Sequence, residues 1–202
     1  LLLDEAFEII NKHELSTNNK YLRYLWIVRG KIEAILNNYD SALEYMMHTL
    51  HMCEEANDFS FACFLTTSNI AYLYLAKGEI LQAKLFMDEA IETLKKLQGD
   101  IFEINQEEVY TFFNQYGMIY DAVKDYNNAE KYYRHVIENC KQTQMSADAY
   151  KLACNNLACM LMKQNKWEES LQYMLMIRYS NNTDNNYMFF QNLAINYLFL
   201  FD

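Results

Sequence analysis

Four segments of the chain carry the same pair of small residues, and the two members of each pair stand twelve positions apart. The first members are Gly30, Ala71, Gly117 and Ala158, and the second members are Ala42, Ala83, Ala129 and Ser170. An internal period of this kind is the mark of a repeat architecture, in which stacked copies bury a shared core. Twelve residues suit one stretch of helix, a tight turn and the entry to a second helix.

Small residues at both places indicate that two antiparallel helices cross closely there, since anything larger than Ala or Ser would push the helix axes apart. Large residues flank the second small position in every copy. Three positions before it stand Tyr39, Ile80, Tyr126 and Trp167, and four positions after it stand Met46, Met87, Tyr133 and Met174. The pattern predicts a repeated helical hairpin in which the eight small residues are structural.

Composition favours a wholly helical chain. Its 202 residues include no Pro and only 4 Gly, too few turn-forming residues for the corners of a sandwich or an α/β sheet of this length. Hydrophobic residues make up 52% and charged residues 22%, which is typical of a globular chain rather than a disordered one. We therefore expect an all-α fold.

The third copy resembles the tetratricopeptide repeat, whose pattern is W-x2-L-G-x2-Y followed by A-x3-F. The matching residues are Phe113, Tyr116, Gly117, Tyr120, Ala129 and Tyr133. The other copies match less fully, and the opening Trp occurs only once, as Trp26, but the resemblance covers nearly the whole chain. It implies a right-handed superhelical solenoid of antiparallel helix hairpins.

The copies are longer than the 34 residues usual in that family. Their second small residues fall at 42, 83, 129 and 170, which are 41, 46 and 41 positions apart. The surplus equals roughly two to three helical turns per copy, and we expect it to prolong the helices through Glu54–Leu65, Lys95–Thr111 and Cys140–Leu152. Extended copies of this sort are similar to those of kinesin light chains and of the bacterial peptide-sensing regulators grouped as the Rap, NprR, PlcR and PrgX superfamily.

The repeats predict a single solenoid with no internal linker. Its expected units are residues 20–56, 59–98, 104–144 and 146–181, with partial units at 1–15 and 184–202. Both ends are apolar, at Leu1–Leu3 and Leu198–Phe201, whereas a solenoid normally ends in a capping helix with a polar outer face. We expect a portion of a longer protein, with further domains outside it and with the capacity to form a homodimer through uncapped ends.

The net charge and the cysteine pattern indicate which partners and which cellular compartment to expect. The net charge of −10 argues against direct nucleic-acid contact by this segment, because such affinity comes from clustered Lys and Arg. The cysteines are odd in number and show no CxxC spacing, which favours a reducing cytoplasm; they are Cys53, Cys63, Cys140, Cys154 and Cys159. No signal peptide and no apolar run of about 18 residues is present, so membrane insertion is not expected.

Signatures of catalysis are missing from the sequence. It contains no GxSxG, P-loop, HExxH or dinucleotide-binding fingerprint. Its histidines, His13, His48, His51 and His135, are dispersed, and Cys53 faces another direction on the helix that carries two of them. The carboxylate pairs Glu54-Glu55, Glu107-Glu108 and Glu168-Glu169 are typical of solvated helix faces. We predict that the chain is not an enzyme and holds no cofactor or metal.

The resemblance also implies a binding groove, because the first helix of each tetratricopeptide hairpin lines the concave face. In the last partial unit the first small residue is Ala194. We expect a peptide to contact the column three positions before the first small residue, Ser68, Asn114, Asn155 and Gln191, and the column one position after it, Tyr72, Met118 and Cys159. An amide carries both a donor and an acceptor, so a ladder of amides can hold an extended peptide backbone. The alternative is that an Asn-rich chain carries such amides without a ligand.

A neighbouring column, two positions before the first small residue, has a structural explanation. It contains Asn69, Gln115, Asn156 and Asn192, and we expect it to serve packing or a helix–helix hydrogen bond. A clamp for a carboxylate terminus fits the groove poorly, because its only basic residues, Lys31 and Lys163, belong to distant units. The acidic total instead favours a neutral or basic peptide.

The expected function is therefore that of a protein- or peptide-binding repeat module, the sensory or regulatory part of a larger protein. If it is the sensor domain of a bacterial peptide-pheromone-responsive transcriptional regulator, a signalling peptide would act by shifting populations between superhelical pitches. A static assembly scaffold and a regulatory module attached to an enzyme domain outside this chain are the alternatives.

Overall fold

The structure is a computed structural model that describes residues 5, 8, 20–57, 60–97, 106–143, 147–179 and 187–201. Within these residues all regular structure is α-helical, which confirms the expected fold class. The helices are α1 (Lys20–Ile35), α2 (Tyr39–Glu55), α3 (Phe61–Ala76), α4 (Ile80–Lys96), α5 (Gln106–Ala122), α6 (Tyr126–Thr143), α7 (Ala147–Lys163), α8 (Trp167–Tyr179) and α9 (Tyr187–Phe201). None of the helices so described is long and apolar enough to cross a membrane.

The chain divides into two compact units, Leu1–Ile104 and Asn105–Asp202. In the first unit the hairpins α1–α2 and α3–α4 stack through contacts of α3 with both helices of the preceding hairpin. In the second unit α7 contacts both α5 and α6, and α9 packs on α8 and α7. Each second helix begins at the large residue that the sequence places three positions before the small one, namely Tyr39, Ile80, Tyr126 and Trp167.

One turn closes all four hairpins. Its key residue has a left-handed backbone and lies five positions before the second small residue: Asn37 (φ 62°), Gly78 (φ 78°), Lys124 (φ 63°) and Asn165 (φ 59°). In the third hairpin the amide of Lys124 donates to the carbonyl of Asp121, and that of Asp125 donates to the carbonyl of Tyr120. These are the paired bonds of a Schellman motif. The motif fixes the number of residues between the helices and so explains the constant spacing of twelve.

The small residues lie where the two helices of each hairpin meet. Ala42, Ala71, Ala83, Ala129, Ala158 and Ser170 are all completely buried. A Cβ atom added to Gly30 would lie 2.7 Å from Cε of Met46, and one added to Gly117 would lie 2.6 Å from Cε1 of Tyr133. The hydroxyl of Ser170 donates to the carbonyl of Ala158 at 2.9 Å, so the fourth hairpin adds a hydrogen bond at its crossing.

The first connection between hairpins is not the continuous helix that the sequence predicts. Helix α2 ends at Glu55 and α3 begins at Phe61, so continuous helix through Glu54–Leu65 is wrong. The extensions expected through Lys95–Thr111 and Cys140–Leu152 fall partly outside the described residues. In the first connection Asn57 has a left-handed backbone (φ 47°), which stops helix α2. Part of the surplus length therefore lies in the connection between the first two hairpins.

Each unit has its own core. In the first unit the residues of α3 from Phe61 to Ser68 are all buried, because this helix lies between its own partner and the preceding hairpin. In the second unit the core is built around the fully buried side chains of Tyr133, Leu157 and Met160. The apolar residues Leu1–Leu3 lie outside the described residues, whereas Leu198 and Phe199 of α9 are 60% and 63% exposed.

Candidate functional site

Two consecutive asparagines on α7 bind the first helices on either side of it. Asn156 Nδ2 donates to Asn114 Oδ1 on α5 at 3.1 Å. Asn155 Oδ1 accepts from Asn192 Nδ2 on α9 at 3.3 Å. The column expected to form helix–helix hydrogen bonds, which contains Asn156 and Asn192, thus pairs with the column expected to bind a peptide, which contains Asn114 and Asn155.

Each of these bonds uses only one of the two polar atoms in the side chain of an asparagine on α7. Asn155 keeps its Nδ2 donor, and Asn156 keeps its Oδ1 acceptor, with no hydrogen bond from either atom to any residue that the structure describes. Both side chains are half-exposed. In the orientations of the structure each contact matches a donor to an acceptor, and Nδ2 of Asn114 is buried without a hydrogen-bond partner among the described residues. Adjacent positions on α7 therefore offer one donor and one acceptor, the complement of a peptide group with its C=O and N–H.

The surface around this pair is mixed in character. Residues at helical spacing lie on the same side of α7, and we call this side, formed by Leu152, Asn155, Asn156, Cys159 and Lys163, the α7 face. Leu152 is 46% exposed and supplies an apolar contact at one end. Lys163 supplies a cation at the other end, where it forms an ion pair with Asp121 at 2.6 Å.

Cys159 lies between the asparagines and the lysine. Its Sγ accepts from Asn192 Nδ2 at 3.1 Å. Burial raises the pKa of this thiol, and the nearby Lys163 and Asp121 act on it in opposite directions. The raised pKa keeps this thiol neutral, so Cys159 is not an activated nucleophile. Its side chain is partly exposed, so a ligand on the α7 face can contact it.

The structure divides the predicted peptide-binding residues into buried and accessible ones. Contrary to expectation, Ser68 and Asn114 are only 5% and 1% exposed. The hydroxyl of Ser68 donates to the carbonyl of Leu65 within its own helix, and the following first helix covers Asn114 through Asn156. The accessible residues are Tyr72 in the first unit and Met118, Asn155, Cys159 and Gln191 in the second. Of these, Asn155 and Cys159 lie together on the α7 face.

A second constellation did not emerge from the sequence. In the first hairpin Trp26 stacks on Tyr45 with ring centroids 5.5 Å apart, and its ring meets His48 edge-on at 5.1 Å. In the third hairpin Phe113 stacks on Tyr132 at 6.0 Å and meets His135 edge-on at 4.9 Å.

These two clusters occupy the same positions in their repeats. In each hairpin one aromatic residue lies four before the first small residue, the tyrosine lies three after the second, and the histidine lies six after it. This common offset is the signal that would have found the clusters. The cluster of the third hairpin lines an open pocket of about 490 Å³, together with Lys131, Arg134 and Glu138.

Metal-binding and redox groups are not gathered on the described surfaces. Within the described ranges no three His, Cys, Asp or Glu side chains come together as a metal site. All five cysteines are free thiols, and only Cys159 is not buried. Burial raises the pKa of Cys154 to about 11, so this thiol stays protonated at neutral pH.

Comparison with protein families identifies two of the hairpins. Residues 110–143 and residues 152–176 each match a family model described as tetratricopeptide repeat. The first match spans most of α5 and all of α6, and the second spans most of α7 and α8. A search of curated protein sequences finds no match to the chain.

Solved structures with low sequence identity share the fold. BtubC (BKLC) from P. vanneervenii is 18% identical with a TM-score of 0.74, and the alignment covers 98% of this chain and 80% of that one. A putative kinesin light chain of Podosopora anserina with nearly identical TPR-like repeats is 14% identical with a TM-score of 0.64, over 88% and 82% of the two chains. YrrB, described as a TPR protein with an unusual peptide-binding site, is 13% identical with a TM-score of 0.58, over 96% and 82%.

Proposed function

We propose that this chain, a tetratricopeptide-repeat protein, is a binding module that holds an extended peptide segment on the α7 face. The observation that carries the proposal is that each asparagine keeps one polar side-chain atom without a hydrogen bond to the described residues, namely Asn155 Nδ2 and Asn156 Oδ1. Their other polar atoms are fixed to α9 and α5, so the donor and the acceptor are held in place before a ligand arrives. Preorganised polar groups lose less entropy on binding and so contribute more to affinity.

The neighbours of the two asparagines support selection among peptides. A backbone held by Asn155 and Asn156 would pass Leu152 toward one end of α7 and Cys159 toward the other. An apolar side chain fits beside Leu152, which is 46% exposed. Because Lys163 is already paired with Asp121, the α7 face offers no free strong cation to an acidic side chain. With a net charge of −10, the chain favours neutral or basic peptides at long range.

The biological setting is a further part of this proposal. The module is the sensory or regulatory part of a larger protein, in which peptide binding changes the packing of the hairpins. YrrB, whose fold this chain shares, is itself described as having a peptide-binding site. Assignment to the bacterial peptide-sensing regulators, assembly as a homodimer through uncapped ends and a cytoplasmic location stay predictions.

Peptides selected from a random display library provide the test. A peptide bound on the α7 face must cover Cys159, the only cysteine that is not buried. We expect a saturating selected peptide to slow alkylation of Cys159 by iodoacetamide at least several-fold, measured by mass spectrometry of the intact chain. A Cys159→Ala variant should lose the alkylation that the peptide slows and should still bind the peptide. Unchanged alkylation of Cys159 at saturation would place the peptide elsewhere and refute the proposal.

A further inference from the structure

The pocket on the hairpin α5–α6 lies apart from the α7 face and is lined by different residues. Its wall consists of three rings, those of Phe113, Tyr132 and His135. Its volume of about 490 Å³ is within the range of ligand sites in proteins, about 300–1,000 Å³. The pocket is therefore large enough to take one side chain of a partner.

Charge around the pocket is unbalanced toward the negative. Arg134 forms ion pairs with both Glu130, at 2.6 Å, and Glu169, at 2.8 Å. It also donates a hydrogen bond to the hydroxyl of Tyr173. This guanidinium is thus committed to α6 and α8, and two carboxylates more than compensate its charge. Arg134 accordingly contributes shape to the pocket but no free positive charge.

The remaining two charged residues lie at opposite ends of the pocket. Lys131 lies over the ring of Tyr132 with its Nζ 6.0 Å from the ring centroid. Glu138 follows seven residues later, about 10 Å along α6, too far from Lys131 to pair with it. Glu138 has no cationic partner among the residues that the structure describes. The pocket thus combines aromatic faces with an uncompensated carboxylate, a combination that attracts cations.

The first hairpin shows which cation fits such a cluster. There the guanidinium carbon of Arg29 lies 5.7 Å from the ring centroid of Tyr45, and Tyr45 occupies the repeat position of Tyr132. Arg29 directly precedes the first small residue of its hairpin, and the corresponding residue in the third hairpin is Tyr116. The third hairpin therefore keeps the aromatic cluster but has no arginine of its own on it, and Tyr116 instead packs its ring 4.7 Å from the ring centroid of Tyr132.

We propose that the pocket formed by Phe113, Tyr132, His135 and Glu138 binds the side chain of an arginine in a partner peptide. The planar guanidinium lies against the rings of Phe113 and His135, since neighbouring rings and Lys131 already pack on Tyr132, and its N–H groups donate to the carboxylate of Glu138. Arginine suits this site better than lysine, because a guanidinium stacks on aromatic faces and forms two parallel hydrogen bonds with one carboxylate. This is a second binding site, and it does not depend on the one proposed for the α7 face.

Titration of the chain with a small probe tests the proposal. The probe is the tripeptide Gly-Arg-Gly, blocked at both ends, and its control is the same peptide with citrulline, which has the shape of arginine without its charge. We expect saturable NMR shifts of the His135 ring protons with the arginine peptide and at least threefold weaker binding of the citrulline peptide. No saturable shift with the arginine peptide, or equal binding of the two, would overturn the proposal.

Two charge variants test whether the pocket prefers a cation to an anion. Glu138→Gln should weaken binding of the arginine peptide at least threefold, and Lys131→Met should strengthen it, because it removes a like charge from the pocket. Glu107→Gln, on α5 outside the pocket lining, is the matched control and should change nothing. The opposite signs, weaker binding in Lys131→Met and stronger binding in Glu138→Gln, would mean that the pocket takes an anion and would refute the proposal. Asn155→Ala should leave this titration unchanged, so failure on the α7 face is distinguishable from failure here.

Discussion

Gly117 lies directly against the ring of Tyr133. A Cβ atom at position 117 would lie 2.6 Å from Cε1 and 2.8 Å from Cδ1 of that ring, closer than any real contact between carbon atoms. The ring is only 1% exposed and is packed in the core of the second unit, so it has no space to move into. The glycine is therefore required by packing and not by backbone conformation.

We expect Gly117→Ala to destabilise the chain by about 1–3 kcal/mol, the usual cost of overpacking, although Ala is the better helix former. Gly30→Ala is the matched control, because its Cβ would meet mainly the flexible end of Met46, and this change should cost less. Urea unfolding followed by circular dichroism measures both. If Gly117→Ala were as stable as the unchanged chain, the proposed helix crossing would be wrong.

The left-handed position in the hairpin turns predicts a substitution that stabilises the folded chain. Lys124 and Gly78 occupy the same left-handed position in two hairpins, a conformation that costs a non-glycine residue about 1 kcal/mol or more. Lys124→Gly should therefore raise the free energy of unfolding by several tenths of a kcal/mol or more. Gly78→Ala should lower it, although a Cβ there would meet no atom within 4 Å. Both effects would appear as shifts in melting temperature, and shifts of the opposite sign would exclude a backbone origin.

Buried thiols predict a loss of stability at alkaline pH. Burial raises the pKa of Cys154 from an ordinary value near 9 to about 11. The unfolded chain releases this proton from about pH 9 upward, while the folded chain keeps it up to about pH 11. The stability that the protonated thiol contributes is therefore fully present below pH 9 and is lost as the pH rises from 9 to 11. We expect the urea midpoint to fall over that range and to fall less steeply in Cys154→Ala. Parallel slopes for the two proteins would contradict the assignment.

The hairpins could be predicted from the sequence because their determinants are local. Two small residues twelve apart and the large residues beside them define the crossing, as Gly117 and Tyr133 illustrate. The ends of the helices were predicted less well, since the connection after Glu55 depends on a left-handed Asn57, and Asn permits that conformation without requiring it.

The candidate site was predictable only in part, because it depends on how consecutive first helices pack. Spacing placed Asn114 and Asn155 in one column, but only the packed structure shows that Asn114 is buried under α7 and that Asn155 is accessible. The aromatic clusters were missed for a different reason. His48 and His135 belong to a shared pattern only together with the aromatic residues at matching offsets in the two hairpins, and those residues come together in space only when each hairpin folds.

The affinity of Asn155→Ala for a selected peptide tests the account most directly. This change removes the donor that the account assigns to the peptide, while Asn192 keeps its contact with Cys159. Ser68→Ala is the control, because Ser68 is a predicted groove residue that is buried and bonded within its own helix in the first unit, and it should leave the peptide affinity unchanged. The dissociation constant should rise about tenfold in Asn155→Ala, or roughly 1.4 kcal/mol, with little change in melting temperature. A lower melting temperature with unchanged peptide affinity would show that Asn155 serves packing alone, and would contradict the account.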